Sequence, residues 1–191
     1  MSAAPDLSGG FPDPARDAAR AFRAALNAMA RPGRIETVDD LAPPAPMSPA
    51  AAALVVVLCD PDTGLFLAPS HDTPAIRDWI RFHASAPFVA PEAADFALGP
   101  WDALVPLSRF RAGVPEYPDR SATLIVETDA LTPPTHSLTG PGIETEALAR
   151  LPETGAFAEN RKRFPLGLDF FFTAGNALSA LPRSTTLTEI A

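Results

Sequence analysis

Residues 168–181 read LDFFFTAGNALSAL and carry a clear signal for the architecture of the chain. The triple phenylalanine within Leu168 to Thr173 indicates a strand that is buried on both faces. Gly175-Asn176 has the composition of a turn, and Ala177 to Leu181 follows it as a second apolar segment. A strand without a polar face needs a packed layer on each side, so this stretch predicts the centre of an α/β domain.

Other strand candidates lie on both sides of this hairpin-like stretch. Ser121 to Thr128, with Leu124-Ile125-Val126 at its centre, predicts the strongest strand of the chain. We expect Thr135 to Thr139 to pair with it as a hairpin and Pro118-Asp119-Arg120 to form a polar turn before it. Shorter strands are predicted at Arg34 to Val38, Leu65 to Ala68 and Thr185 to Ile190, the last at a sheet edge.

Helices are predicted between these strands by capping residues and apolar spacing. Asp13-Pro14 begins the clearest one, which should end at Arg31-Pro32-Gly33. Thr73-Pro74 begins another that reaches His83, and a third runs from Pro152 to Arg163. Residues 50–59 fit either a helix or a buried strand, and the Ser48-Pro49 start favours the helix. We therefore predict a single three-layer-like α/β domain with a mixed sheet over residues 1–191, in which residues 1–12 form a flexible N-terminal segment.

Composition excludes several classes of protein. The formal charge is −8, which disfavours nucleic-acid binding because such proteins present a basic face. Cys59 is the only cysteine, so no internal disulfide, cysteine-paired zinc site or iron-sulfur cluster is expected. The sequence shows neither a signal peptide nor an apolar stretch long enough to span a membrane. We expect a cytoplasmic chain with no metal site.

Two sequence features resemble cofactor sites but have simpler interpretations. Lys162 is the sole lysine, yet Arg161 and Arg163 flank it at a helix end, which favours a solvated ammonium group over a Schiff base. Residues 139–143 read TGPGI, but Pro141 removes a backbone amide that a phosphate cradle would need. A tight turn is the better interpretation of this segment.

The histidines offer no local metal motif. His83 ends a predicted helix, where its charged form would be favoured, although capping of the last carbonyl groups is the preferred interpretation. His71-Asp72 has the residue types of an oriented base, but we favour a cap for the helix that follows.

Charged residues beside the apolar strands form the remaining candidate site. Asp169 starts the phenylalanine-rich strand, and Arg183 follows the strand after it. The two side chains either pair with each other or hold an anionic ligand, and pairing is favoured because buried charges are usually partnered. Arg81 and His83 complete the set of pocket candidates, and no catalytic residue is assigned.

Short motifs along the chain share one order and spacing with a known family. They are Ala21-Phe22-Arg23 with Met29-Ala30-Arg31-Pro32-Gly33, Arg81-Phe82-His83 with Ala86-Pro87, Leu138-Thr139-Gly140-Pro141-Gly142-Ile143, Phe164-Pro165-Leu166-Gly167-Leu168-Asp169, and Pro182-Arg183-Ser184-Thr185. Each motif alone is weak, but together they resemble the PhnH family, the H subunit of the bacterial carbon-phosphorus lyase core complex.

The resemblance implies a fold similar to the large domain of pyridoxal-phosphate-dependent transferases, without the cofactor. It also implies work in an assembly with the G, I and J subunits, where a phosphonate displaces adenine from ATP and is left on the ribose 1-carbon of a 5-triphosphate. The resemblance also implies that J and its iron-sulfur cluster carry out the later cleavage of the carbon-phosphorus bond. The resemblance transfers no catalytic residue, so we expect a structural subunit that forms a homodimer when isolated. The alternative is a stand-alone enzyme or binding protein that holds an anionic ligand with Arg81, His83, Asp169 and Arg183.

Overall fold

The computed structural model describes residues 6–38 and 41–190, which form five α-helices and eleven strands. The helices are α1 (Pro14–Ala30), α2 (Pro49–Leu58), α3 (Pro74–His83), α4 (Trp101–Leu104) and α5 (Gly155–Lys162). The strands are β1 (Glu36–Thr37), β2 (Leu65–Leu67), β3 (Phe96–Pro100), β4 (Ala112–Val114), β5 (Tyr117–Ser121), β6 (Thr123–Glu127), β7 (His136–Thr139), β8 (Ala147–Ala149), β9 (Asp169–Ala174), β10 (Ala177–Leu181) and β11 (Thr186–Glu189).

A mixed sheet of six of the described strands forms the middle of the domain, in the order β1-β10-β9-β6-β3-β2. The strands β2, β3, β6 and β9 run parallel to one another, and β10 and β1 are antiparallel additions. Residues 170–173 of β9 are all buried. The sequence-based prediction of a mixed sheet with a fully buried phenylalanine-rich strand is confirmed.

Two cores cover the two faces of this sheet. Because alternate residues of a strand point to opposite faces, Phe171 joins one core, and Phe170 and Phe172 join the other. The first core packs the sheet against α1, α2 and α3. The second includes Phe157 of α5, whose ring centroid lies 5.0 Å from that of Phe170. The three-layer, single-domain α/β architecture predicted from the sequence is therefore confirmed.

The predicted starts of α1, α2 and α3 are correct. The side chains of Asp13, Ser48 and Thr73 accept hydrogen bonds from backbone amides three residues later, and a proline occupies the first turn after each. Residues 50–55 of α2 are buried, which explains why their apolar run resembled a core strand. The helical interpretation of residues 50–59 is confirmed.

One prediction about strand pairing and one about a turn were wrong. The β7 strand does not pair with β6, because β3 and β9 already occupy both edges of β6; it lies instead between β11 and β8 in a separate sheet. Residues 118–120 are not a turn, since they lie within β5, which forms a bulged two-stranded ribbon with β4. The predicted edge strand near the C-terminus exists as β11, but it borders the smaller sheet.

The glycine-rich segment at residues 139–143 is a tight turn, as predicted. The amide of Ile143 donates to the carbonyl of Gly140 at 3.1 Å, and Gly142 has φ +83°. A Cβ at position 142 would lie 2.1 Å from the carbonyl oxygen of Ala30. Glycine therefore lets this turn pack against the end of α1.

Part of the predicted flexible segment contacts α3. Residues 1–5 lie outside the described part of the chain. The carbonyl of Ser8 accepts a hydrogen bond from Trp79 Nε1 at 2.8 Å, and the carbonyl of Gly9 accepts one from the amide of Ala42 at 2.9 Å. The mobility of residues 1–12 stays a prediction.

Candidate functional site

Asp169 and Arg183 form a half-buried ion pair at the amino-terminal edge of β9. Arg183 Nε donates to both carboxylate oxygens, at 3.1 and 3.2 Å, and the backbone amide of Arg183 donates to Oδ1 at 2.8 Å. The guanidinium group also donates to the carbonyl of Pro118 at 2.7 Å and to the hydroxyl of Ser121. The pairing favoured by the sequence is present. It connects β9 with β5 and with the start of the loop that follows β10.

An apolar groove of about 290 Å³ lies beside this pair. It runs between α1 and the starts of three parallel strands, and its lining includes Phe22, Leu26, Phe96, Phe171 and Asp169. Phe22 and Leu26 are exposed despite their size. With one carboxylate already paired to arginine, the groove offers an apolar contact surface and little chemistry for catalysis.

Arg81 and His83 lie together near the end of α3, but their partners differ from those expected. His83 Nε2 donates to the carbonyl of Leu7 at 3.0 Å, and its ring packs 4.2 Å from that of Trp79. Arg81 is exposed and forms an ion pair with Asp78 at 3.2 Å. The expectation that His83 caps the last carbonyls of α3 is wrong, because the N-terminal segment crosses there.

The four pocket candidates form two separate pairs. Across residues 6–38 and 41–190, no hydrogen bond, ion pair or ring contact joins Arg81 or His83 to Asp169 or Arg183. Most donors of Arg183 are already used within the chain. A common anion site built from all four residues gains no support from these contacts.

A buried polar cluster that the sequence did not predict lies at the carboxyl ends of the parallel strands. His71, which follows β2 and is 4% exposed, places Nε2 at 3.7 Å from Oε1 of Glu127 at the end of β6. Glu127 accepts hydrogen bonds from the amide of Ser48 at 2.7 Å and from the hydroxyl of Thr173 at 3.0 Å. The cluster therefore connects the ends of β2, β6 and β9 with the start of α2.

A signal for this cluster was available in the sequence. Glu127 ends the strongest predicted strand, His71 follows another, and the carboxyl ends of parallel strands meet at one edge of a sheet. The interpretation of His71-Asp72 as the cap of α3 is wrong, because Thr73 is the cap and Asp72 binds Arg77.

Cys59 and His136 are two further buried side chains that can titrate. Burial raises the pKa of the Cys59 thiol to about 12, which leaves it protonated and a poor nucleophile at neutral pH. Burial also lowers the pKa of His136, with a smaller opposing effect from Glu189. The two ring nitrogens of His136 lie 2.8 Å from the hydroxyl of Thr135 and 2.9 Å from that of Thr154, so this imidazole links β7 to the start of α5.

Neither the environment of the sole lysine nor the arrangement of metal-binding residue types indicates a cofactor site in the described chain. Lys162 is exposed in an ion pair with Glu159, which agrees with the interpretation of a solvated helix end. In the part of the chain that the structure describes, no group of three or more His, Cys, Asp and Glu side chains is arranged to hold a metal ion. No helix among those same residues is both long and apolar enough to cross a membrane.

Comparison with known families identifies the group to which this fold and these motifs belong. The model of the PhnH family, described as bacterial phosphonate metabolism protein, matches residues 9–188. The chain belongs to the PhnH family. A PhnH protein of Rhizobium meliloti (strain 1021), named alpha-D-ribose 1-methylphosphonate 5-triphosphate synthase subunit PhnH, is 38% identical over 189 residues, covering 94% of each chain.

The PhnH assignment confirms the family inferred from the ordered motifs. The matched range contains the Asp169–Arg183 pair, the glycine turn that packs on α1 and the end of α3. Several motif residues thus hold elements of the fold together. Their contacts give a structural reason for the pattern and do not converge on one reaction centre.

Proposed function

We propose that the chain is a structural subunit of the carbon-phosphorus lyase core complex for the catabolism of organic phosphonates. The observation that carries this proposal is the relative that matches across 94% of both chains and is named a subunit of a ribose 1-methylphosphonate 5-triphosphate synthase. The complex would take ATP and a phosphonate and displace adenine, as the family resemblance implies. The partners would be the G, I and J subunits, in the cytoplasm.

The described contacts support a role in assembly more than one in catalysis. Asp169 and Arg183 are paired with each other in an ion pair, and the Cys59 thiol is protonated at neutral pH. Phe22 and Leu26 expose apolar surface along the groove beside α1. Apolar surface of this kind is common where proteins associate, so we propose that it is covered in the complex and in a homodimer of the isolated chain.

A reconstituted synthase assay tests this function. The G, I and J subunits are mixed with and without the chain, and adenine release from ATP is measured in the presence of methylphosphonate. We expect efficient release only when the chain is added, and no release from the chain alone. Turnover of a phosphonate by the isolated chain would instead favour a stand-alone enzyme, and an unchanged rate without the chain would contradict the subunit role.

A further inference from the structure

A groove of about 500 Å³ opens at the carboxyl ends of β2 and β3. Its walls are formed by the end of β2, the loop after it, α4 and the short helical turn at Leu107–Arg109; the lining residues are Phe66, Leu67, Pro69, Asp72, Ala103 and Arg109. In open α/β sheets, ligand crevices lie outside the carboxyl ends of the parallel strands, most often where the strand order reverses; this groove lies at that edge of the sheet, beside the outermost strand β2. The groove therefore occupies a position suited to a small ligand.

Aromatic rings hold the cation of this groove in place. The guanidinium carbon of Arg109 lies 5.0 Å from the ring centroid of Phe66 and 5.5 Å from that of Phe110. Within the described chain, its one hydrogen bond runs from Nη1 to the carbonyl of Ala103 at 3.3 Å. Arginine has five N–H donors, so most of those on Arg109 are available to a ligand.

Arg109 has no carboxylate partner within the described chain, which is also true of the half-buried Arg161 but not of Arg77 and Arg183. The half-buried Arg77 and Arg183 pair with Asp72 and Asp169. Arg109 is half-buried as well, yet no carboxylate lies within 4 Å of it in residues 6–38 and 41–190. Because Arg109 lines an open groove, an anion from outside the chain can reach its unused donors.

The carboxylate in the same groove does not cancel this charge. Both oxygens of Asp72 accept hydrogen bonds from Arg77, with Nη2 to Oδ2 at 2.9 Å. These bonds hold the pKa of Asp72 below its ordinary value, so the pair is a neutral unit of one anion and one cation. Arg109 is left as the excess charge of the groove, which is therefore positive although the whole chain is acidic.

We propose that this groove binds the oxyanion of a phosphate or phosphonate group through Arg109. The planar guanidinium fork matches two oxygens of such a group, and its contacts with the rings of Phe66 and Phe110 restrain its position before the ligand arrives. The choice of a phosphorus oxyanion over other anions rests on the proposed function. The group belongs either to an alkylphosphonate or to the triphosphate of a nucleotide.

Calorimetric titration of the isolated full chain tests the proposal with methylphosphonate, inorganic phosphate and ATP as separate probes and acetate as the comparison anion. Arg109→Gln is the test variant. Arg150→Gln is the matched control, because Arg150 is exposed and also has a single bond to a backbone carbonyl, that of Pro133 at 3.4 Å. We expect Arg109→Gln to weaken binding by about tenfold or more, because the variant loses charge-assisted hydrogen bonds to the ligand. Arg150→Gln should leave the affinity unchanged.

The outcomes of these titrations test the proposed anion site separately from the proposed subunit function. Binding of methylphosphonate identifies an alkylphosphonate, and binding of ATP alone identifies a nucleotide phosphate. Absence of binding to all three phosphorus probes, equal affinity for acetate, or equal losses in both variants would overturn the site. If Arg109→Gln does not fold, the NMR resonance of Arg109 Nε–Hε in the unmodified chain decides, since it must shift on titration. Binding that persists while the chain fails to join the synthase would refute the proposed function and leave the site standing.

Discussion

Replacement of Asp169 by alanine should destabilise the fold strongly. The side chains of Arg183 and Asp169 are 14% and 22% exposed, so the pair is partly shielded from water. Breaking a fully buried pair costs about 3–5 kcal/mol and a surface pair about 0–1 kcal/mol. The Arg183 guanidinium keeps its bonds to Pro118 and Ser121, which softens the loss. We therefore expect a loss of about 2–3 kcal/mol in the free energy of unfolding.

Thermal and urea unfolding measure this loss in a double-mutant cycle. For a domain of this length, about 2–3 kcal/mol corresponds to a decrease in Tm of roughly 4–12 °C. The variants are Asp169→Ala, Arg183→Ala and the combination of both. Since the two residues share their hydrogen bonds, the double variant should lose less stability than the sum of the single losses.

A surface pair provides the matched control for the cycle. Asp78 and Arg81 interact at 3.2 Å on α3, with side chains 40% and 58% exposed. Asp78→Ala should change the unfolding free energy by less than about 0.5 kcal/mol. Additive effects of Asp169→Ala and Arg183→Ala, or losses as small as that of the control, would refute the structural role of the buried pair.

Three further predictions follow from the packing. Gly142→Ala should lower the free energy of unfolding by more than about 2 kcal/mol, because the new Cβ would clash with the end of α1. Gly175→Ala should cost about 1 kcal/mol, because φ is +58° there but the space around the new Cβ is open. Equal losses of the two variants in urea unfolding would contradict this reasoning. Cys59 should resist a thiol reagent at pH 8 in the folded chain and react fully in denaturant, and rapid labelling of the folded chain would show that the thiol is accessible. Because the pKa of His136 is lowered in the folded chain, the folded chain binds fewer protons than the unfolded one, and stability should fall as pH drops below about 6.5. This fall should be smaller in His136→Gln. Identical profiles of stability against pH for the two proteins would show that His136 does not cause the fall.

Local chemistry in the sequence was sufficient to predict most of the secondary structure and the layer arrangement. Capping residues with a following proline located the starts of α1, α2 and α3. The phenylalanines of β9 indicated a strand covered on both faces, because only such a position accepts apolar residues without alternation. The adjacency of Asp169 and Arg183 to apolar strands also favoured their pairing, which the fold contains.

Long-range pairing could not be read from the same signals. The strand partner of β7 depends on which edges of β6 are already occupied, and that is a property of the whole sheet. His83 contacts Leu7, which lies 76 positions earlier, and no local pattern specifies that crossing. The sequence did not indicate Arg109, because only the folded structure shows that this arginine has no carboxylate partner in the described chain.

Native mass spectrometry of a co-expressed assembly tests the subunit role most directly. The chain is expressed with the G, I and J subunits, one of the other subunits carries the affinity tag, and the purified material is weighed intact. Our account predicts that the chain co-purifies in a stoichiometric complex with all three subunits and remains bound through gel filtration. A tagged complex of G, I and J that excludes the chain, while the chain itself is folded and abundant in the same lysate, would contradict it.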